Sequence, residues 1–115
     1  MKRGDVYDAR LDPTEGHEQA GTRPVVIVSR DAINANFSVV LAVPCTTYRP
    51  KRRLYPSHVL IEAPDGGLSN DSVALAEQVR AITHERLGNR RGMLCARTMV
   101  KLDQALLIAL DLPGS

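Results

Sequence analysis

Apolar positions alternate, or run continuously over short stretches, for most of the chain and recur at helical spacing only near its end. Residues 6–11 alternate loosely and stop at Asp12-Pro13-Thr14-Glu15-Gly16, which has the composition of a turn, so they predict a first strand. Small and polar residues continue to Arg23. Pro24-Val25-Val26-Ile27-Val28-Ser29 is then a continuous β-branched run with proline at its first position, where a strand tolerates it. A long loop is therefore expected between the first two strands. Asp31 is placed to cap one turn of helix through Asn36, after which strand character resumes over 38–43 and is expected to stop at Pro44-Cys45-Thr46-Thr47. Residues 57–62, 72–76 and 78–82 supply three more strands, with a turn at Gly66-Gly67. The pattern predicts six strands.

Thr83 is placed to cap a helical turn to Leu87 that Gly88 would end. Over 97–110 the spacing changes: Met99, Leu102, Leu106, Ala109 and Leu110 recur on one helical face, with Lys101 and Asp103 off it. Val100, Leu107 and Ile108 form a second apolar strip, more than one sheet needs to cover, which points to a dimer. Many short strands closed by a helix predict a mainly β fold of α+β type, a small, strongly bent sheet or barrel with short helices and a C-terminal α-helix. With 115 residues and no repeat, the expectation is a single domain over 1–115.

Apolar content of 43% against 24% charged residues excludes a disordered chain. A net charge of +2 does not by itself announce a nucleic-acid binder, so the distribution of charge matters more. Arg49-Pro50-Lys51-Arg52-Arg53 is one basic cluster and Asn89-Arg90-Arg91 another; both lie between apolar runs and are expected on exposed loops. Cys45 and Cys95 sit in apolar stretches without metal-ligand spacing, which predicts buried thiols and no zinc site, and no His-His pair stands at metal spacing. No apolar run approaches the roughly 18 residues that span a bilayer. No membrane association and a cytoplasmic location are the expectation.

Arg3-Gly4-Asp5-Val6-Tyr7, Asp12-Pro13-Thr14 through Glu18-Gln19-Ala20-Gly21, Arg23-Pro24-Val25-Val26, Pro44-Cys45-Thr46-Thr47 and Leu75-Ala76-Glu77-Gln78-Val79-Arg80 resemble, in order and spacing, the MazF/PemK toxins of type II toxin–antitoxin systems. The resemblance runs from Lys2 to Leu110. It implies an SH3-like, PemK-type β-barrel and a homodimer with an RNA groove along the subunit interface. It further implies an mRNA interferase: a sequence-specific endoribonuclease that cuts single-stranded RNA without metal or cofactor and leaves 2′,3′-cyclic phosphate and 5′-hydroxyl ends. A MazE-like antitoxin protein, whose acidic tail covers the groove, is the implied partner. The central catalytic pair maps onto Arg23 and Thr46, with Thr47 the neighbour that stays open. Glu18 matches the family pattern and is the first choice for base, although it is equally an ion-pair partner for Arg23; His17 stands where the family usually has serine. Thr47, Tyr48, Arg49, Lys51, Arg52, Arg53, Gln78 and Arg80 are the implied RNA-binding residues.

The chemistry accounts for these residue types independently. Attack by a 2′-hydroxyl on its own phosphodiester needs no external nucleophile, but builds negative charge on the phosphoryl oxygens and on the departing 5′-oxygen. A guanidinium presents a planar fork of donors to two phosphate oxygens, and a threonine hydroxyl adds a third from a rigid strand end. Arginine is a poor base because it stays protonated, so its place in proton transfer is as donor to the leaving oxygen. Tyr48 and Tyr55 flank the basic segment and are placed to stack on unpaired bases. His58 and His84 fit packing or surface roles better than catalysis. Two other functions share these features: a gyrase-binding toxin that cuts nothing, for which the tail Asp111-Leu112-Pro113-Gly114-Ser115 lacks the expected aromatic residue, and a silent RNA-binding module, which would need neither Arg23 nor Thr46.

Overall fold

The computed structural model describes residues 1–11 and 21–115. Among the described residues, seven strands form one antiparallel sheet: β1 (Asp5–Arg10), β2 (Thr22–Ile27), β3 (Val39–Thr47), β4 (His58–Ile61), β5 (Ser72–Leu75), β6 (Arg80–Thr83) and β7 (Leu87–Met93). Helix α1 (Asp31–Asn36) joins β2 to β3, and α2 (Ala96–Leu110) follows β7. The strand order is β4-β5-β3-β2-β1-β7, with β6 also paired to β3. The mainly β architecture with a C-terminal helix is as the pattern predicts. The ladder is nevertheless open between β4 and β7, so the barrel is not closed by hydrogen bonds.

β2 is buried through Val25, Val26 and Ile27 in succession, which requires cover on both sheet faces. On one face Val26, Val43, Ile61 and Ala74 pack with Leu102 and Ala105 of α2. On the other, Val25, Ile27, Val40, Ala42 and Ile82 form a second cluster. Met99, Leu106 and Ala109 pack against the first cluster, as the helical spacing predicts, whereas Leu110, expected on that face, is exposed.

Several expectations are corrected. β3 ends within Pro44-Cys45-Thr46-Thr47 as expected, at Thr47, but it runs straight through the proline. On one edge β3 pairs with β6 over 39–42 and with β5 over 45–47, so on that edge Pro44 falls between two ladders, while on the other edge it is opposite Val25 of β2. Pro24 is the third residue of β2, not its first, and the β2–β3 ladder begins only after it, at Val25. The turn after Thr83 is a short 3-10 segment, His84–Arg86, and Gly88 belongs to the seventh strand instead of ending a helix. The cluster Asn89-Arg90-Arg91 is therefore strand, not loop. β7 lacks apolar alternation and is held by its pairing with β1 and by two ion pairs across it, Arg90–Asp5 and Arg91–Asp8, both 3.2 Å. Asp31 does not cap α1 through its side chain; its Oδ1 accepts the Arg3 N–H at 2.7 Å. Cys45 is buried as expected, but Cys95 is exposed at the start of α2.

The 3-10 turn Asp65–Gly67 packs on β7 where the ladder is open. A Cβ at Gly67 would fall 1.9 Å from the Arg91 carbonyl oxygen, and one at Gly92 would fall 2.8 Å from the Gly66 carbonyl carbon. Main chain meets main chain there, which only glycine permits.

Candidate functional site

β1 and β2 pair with Ala9 opposite Arg23, and β2 and β3 with Val25 opposite Pro44. Side chains alternate across a sheet, so Arg23 shares a face with Val25 and Ile27. Thr46 shares one with Pro44 and Ala42. Because Val25, Ile27 and Ala42 lie in one cluster, these two faces are the same. Carrying the Val25–Pro44 register two residues further sets Arg23 opposite Thr46, and both are half-buried. Thr47, by the same alternation, is directed to the other face and is exposed. The guanidinium and the hydroxyl at 46 are thus brought to one end of one face by strands whose apolar residues fix the register.

Arg80 is opposite Ala42 in the β3–β6 ladder, on that same face but four positions back from Thr46 along β3, about 13 Å at the usual strand rise. Gln78 ends the 3-10 turn Ala76–Gln78 just before β6. Glu18 and His17 lie outside the described residues, so the two candidates for base or ion-pair partner have no structural account.

The basic segment leaves the end of β3 and returns to β4. The Tyr48 N–H donates to the Asp71 carbonyl at 2.8 Å, and the Arg52 N–H to the Arg49 carbonyl at 2.8 Å, forming a turn. Arg49, Lys51 and Arg53 are exposed; Tyr48 and Arg52 are half-buried. Arg52 Nε is buried and has no hydrogen-bond partner among the described residues. The Arg53 guanidinium lies 5.1 Å from the centroid of the Tyr55 ring.

A second side-chain network is absent from the pattern-based candidates. His58 Nε2 is 3.1 Å from Glu77 Oε2, and the Ser57 hydroxyl donates to Glu77 Oε1 at 3.0 Å. Sequence spacing alone carries no signal for it, because residues 57–58 and 77 meet only through the β4–β5 pairing. The other histidine in the described residues, His84, is exposed.

Among the described residues, no group of three His, Cys, Asp or Glu side chains is placed to hold a metal ion, and no helix is long and apolar enough to cross a membrane.

Comparison with known proteins adds four relationships. The family model for PemK-like, MazF-like toxins of type II toxin–antitoxin systems matches residues 2–110. Endoribonuclease EndoA of Bacillus subtilis (strain 168) is 42% identical over 112 residues, covering 97% of this chain and 96% of that protein. A mycobacterial endoribonuclease, solved in complex with its cognate antitoxin, superposes with a TM-score of 0.82 at 31% identity, covering 100% of this chain and 99% of its own. The crystal structure of MazF from Deinococcus radiodurans gives 0.83 at 25% identity, with 97% of each chain covered.

Proposed function

The chain belongs to the PemK-like, MazF-like toxins of type II toxin–antitoxin systems, and from that membership we propose that it is an endoribonuclease toxin, a sequence-specific and metal-independent enzyme that cuts single-stranded RNA. The observation that carries the site assignment is the shared face and register of Arg23 and Thr46 at the ends of β2 and β3.

In the proposed reaction the 2′-oxygen of one nucleotide attacks the adjacent phosphorus. A P–O2′ bond forms, the P–O5′ bond breaks, and the products are a 2′,3′-cyclic phosphate and a 5′-hydroxyl. The 2′-proton passes to a base, for which Glu18 is the candidate, and the leaving 5′-oxygen takes a proton from the Arg23 guanidinium or from water held there. Arg23 and the Thr46 hydroxyl meanwhile donate to the phosphoryl oxygens, whose charge grows toward the transition state. Thr47, Tyr48, Arg49, Lys51, Arg52, Arg53, Gln78 and Arg80 hold the strand. Guanidinium and ammonium groups supply affinity for the backbone, and aromatic faces receive unpaired bases. The partners on this reading are single-stranded RNA, a MazE-like antitoxin and a second copy of the chain, and the location is the cytoplasm.

The test is incubation of the purified protein with a long single-stranded RNA in excess EDTA, beside Arg23→Ala and Thr46→Ala, with mapping of the cut ends. Cuts at one short motif with cyclic-phosphate ends are expected, with losses of roughly a hundredfold to a thousandfold in rate for each variant, the usual effect of removing one transition-state donor. Intact RNA with the wild type, or undiminished cutting by the variants, would reject the assignment.

A further inference from the structure

The network around His58 ends on an aromatic ring that faces solvent. The Tyr55 main-chain N–H donates to His58 Nδ1 at 3.2 Å. An N–H can only donate, so Nδ1 carries the lone pair and the ring proton sits on Nε2, which donates to Glu77 Oε2 at 3.1 Å. The His58 N–H donates back to the Tyr55 carbonyl at 2.8 Å, closing the turn between them. The two rings meet edge to face, with centroids 5.4 Å apart and planes at 88°. The His58 side chain is 7% exposed, whereas Tyr55 is 51% exposed. A nearly buried imidazole thus holds an open tyrosine by both its polar edge and its ring. Glu77 extends the hold: it accepts from Ser57 and His58 and lies next to Gln78 in the 76–78 turn, whose Ala76 N–H donates to the Ser57 carbonyl at 3.0 Å.

We propose that His58 is a positioning residue for RNA, fixing Tyr55 beside Arg53 as a platform on which an unpaired nucleobase stacks. This rests on the single-stranded RNA reading above and extends it to a residue that touches no reacting atom. A loop of exposed cations and one aromatic ring would have to be ordered when RNA arrives; a ring already held by His58 and Glu77 avoids that cost. Substrate is lost from such a site through weaker binding, with the chemical step at Arg23 and Thr46 left alone.

The experiment is a double-mutant cycle on binding, using single-stranded 2′-O-methyl RNA of mixed sequence, which lacks the attacking hydroxyl and stays whole. Tyr55→Ala should weaken binding by roughly tenfold to a hundredfold, the worth of one stacked base. His58→Ala should weaken it by roughly tenfold, and the double variant no more than Tyr55→Ala alone, because both remove the same platform. His58→Asn, whose Oδ1 stands near the place of Nδ1 and can accept the Tyr55 N–H, should recover most of the affinity. In cleavage of ordinary RNA the His58 variants should raise KM and leave kcat. Additive losses, an unchanged affinity in His58→Ala, or a fall in kcat at constant KM would each overturn the proposal. Wild-type protein that binds RNA without cutting it removes the ribonuclease assignment while the cycle still decides the role of His58; protein that binds no RNA removes both.

Discussion

Cys45 and Cys95 read alike along the chain, each in an apolar stretch, yet their surroundings are opposite. Cys45 lies in the second half of β3, fully buried, and burial pushes its thiol up to about 12. Cys95 is exposed where α2 begins, its Sγ 3.4 Å from Asp65 Oδ2 and 3.3 Å from Thr98 Oγ1. Reactivity follows the thiolate and its access, so alkylation of the native protein near neutral pH should modify Cys95 alone. Cys45 should react only as the chain unfolds, and peptide mass spectrometry at matched times reads the difference; equal labelling of both in the native state would contradict the packing of β3. The sequence could mark both cysteines as apolar-segment residues, but not distinguish a strand interior from a helix cap. The same limit applied to Thr46 and Thr47, which are separated only by the register of β3 against β2.

At the scale of elements, legibility followed periodicity. Helix α2 was visible because its core-facing residues repeat at helical spacing, and β2 because its β-branched residues are contiguous. β7 was not: Leu87–Met93 contains glycines, asparagine and arginines, and becomes strand only through β1, whose Asp5 and Asp8 receive Arg90 and Arg91. The start of α2 shows a further device that spacing could not reveal. Cys95, its N-cap, has no side-chain cap bond of its own; instead Asp65, distant in sequence, accepts the Cys95 N–H at 2.8 Å and the Thr98 hydroxyl at 2.5 Å. Burial alone would raise the Asp65 carboxyl, but the hydrogen bonds from Thr98, Cys95 and Gly66 together hold it below its ordinary value. A carboxylate with a lowered folded pKa binds its proton more readily in the unfolded chain. Its contribution is therefore fully present above the unfolded value and is lost as pH falls through the folded one. Asp65→Ala should cost roughly 0.5–2 kcal/mol at neutral pH, the range for helix-cap removal. The gap to wild type should narrow in strong acid. Urea unfolding across pH 2 to 7, as a chosen range, checks both; a gap independent of pH would show that the charge contributes nothing.

For the whole molecule, closure and assembly depend on contacts between distant segments. The sheet is a ladder from β4 to β7 with a gap that hydrogen bonds do not bridge, and the 65–67 turn fills it by bringing its glycines against Arg91 and Gly92. Gly66-Gly67 was visible as a turn, but its role as a clasp on β7 depends on a strand the pattern did not show. α2 and the residues just after it leave apolar side chains uncovered: Val100 is 68% exposed, with Ile108, Leu110 and Leu112 also open to solvent. The helical spacing already separated Val100, Leu107 and Ile108 from the core stripe, and a strip of this kind on a folded monomer marks an interaction surface. A second copy of the chain is the occupant the proposed dimer requires. An aspartate at position 100 would be buried in that interface without a cation, so Val100→Asp should weaken dimerisation on the order of a hundredfold, the scale of an uncompensated buried charge. Because Val100 lies off the core, the same substitution should leave the melting of an isolated protomer nearly unchanged. Sedimentation velocity over a dilution series separates these effects. A wild type that stays monomeric throughout would remove the dimer, whereas a variant that dimerises as the wild type does would place the dimer contact on another face and leave the exposed strip of α2 for a different partner.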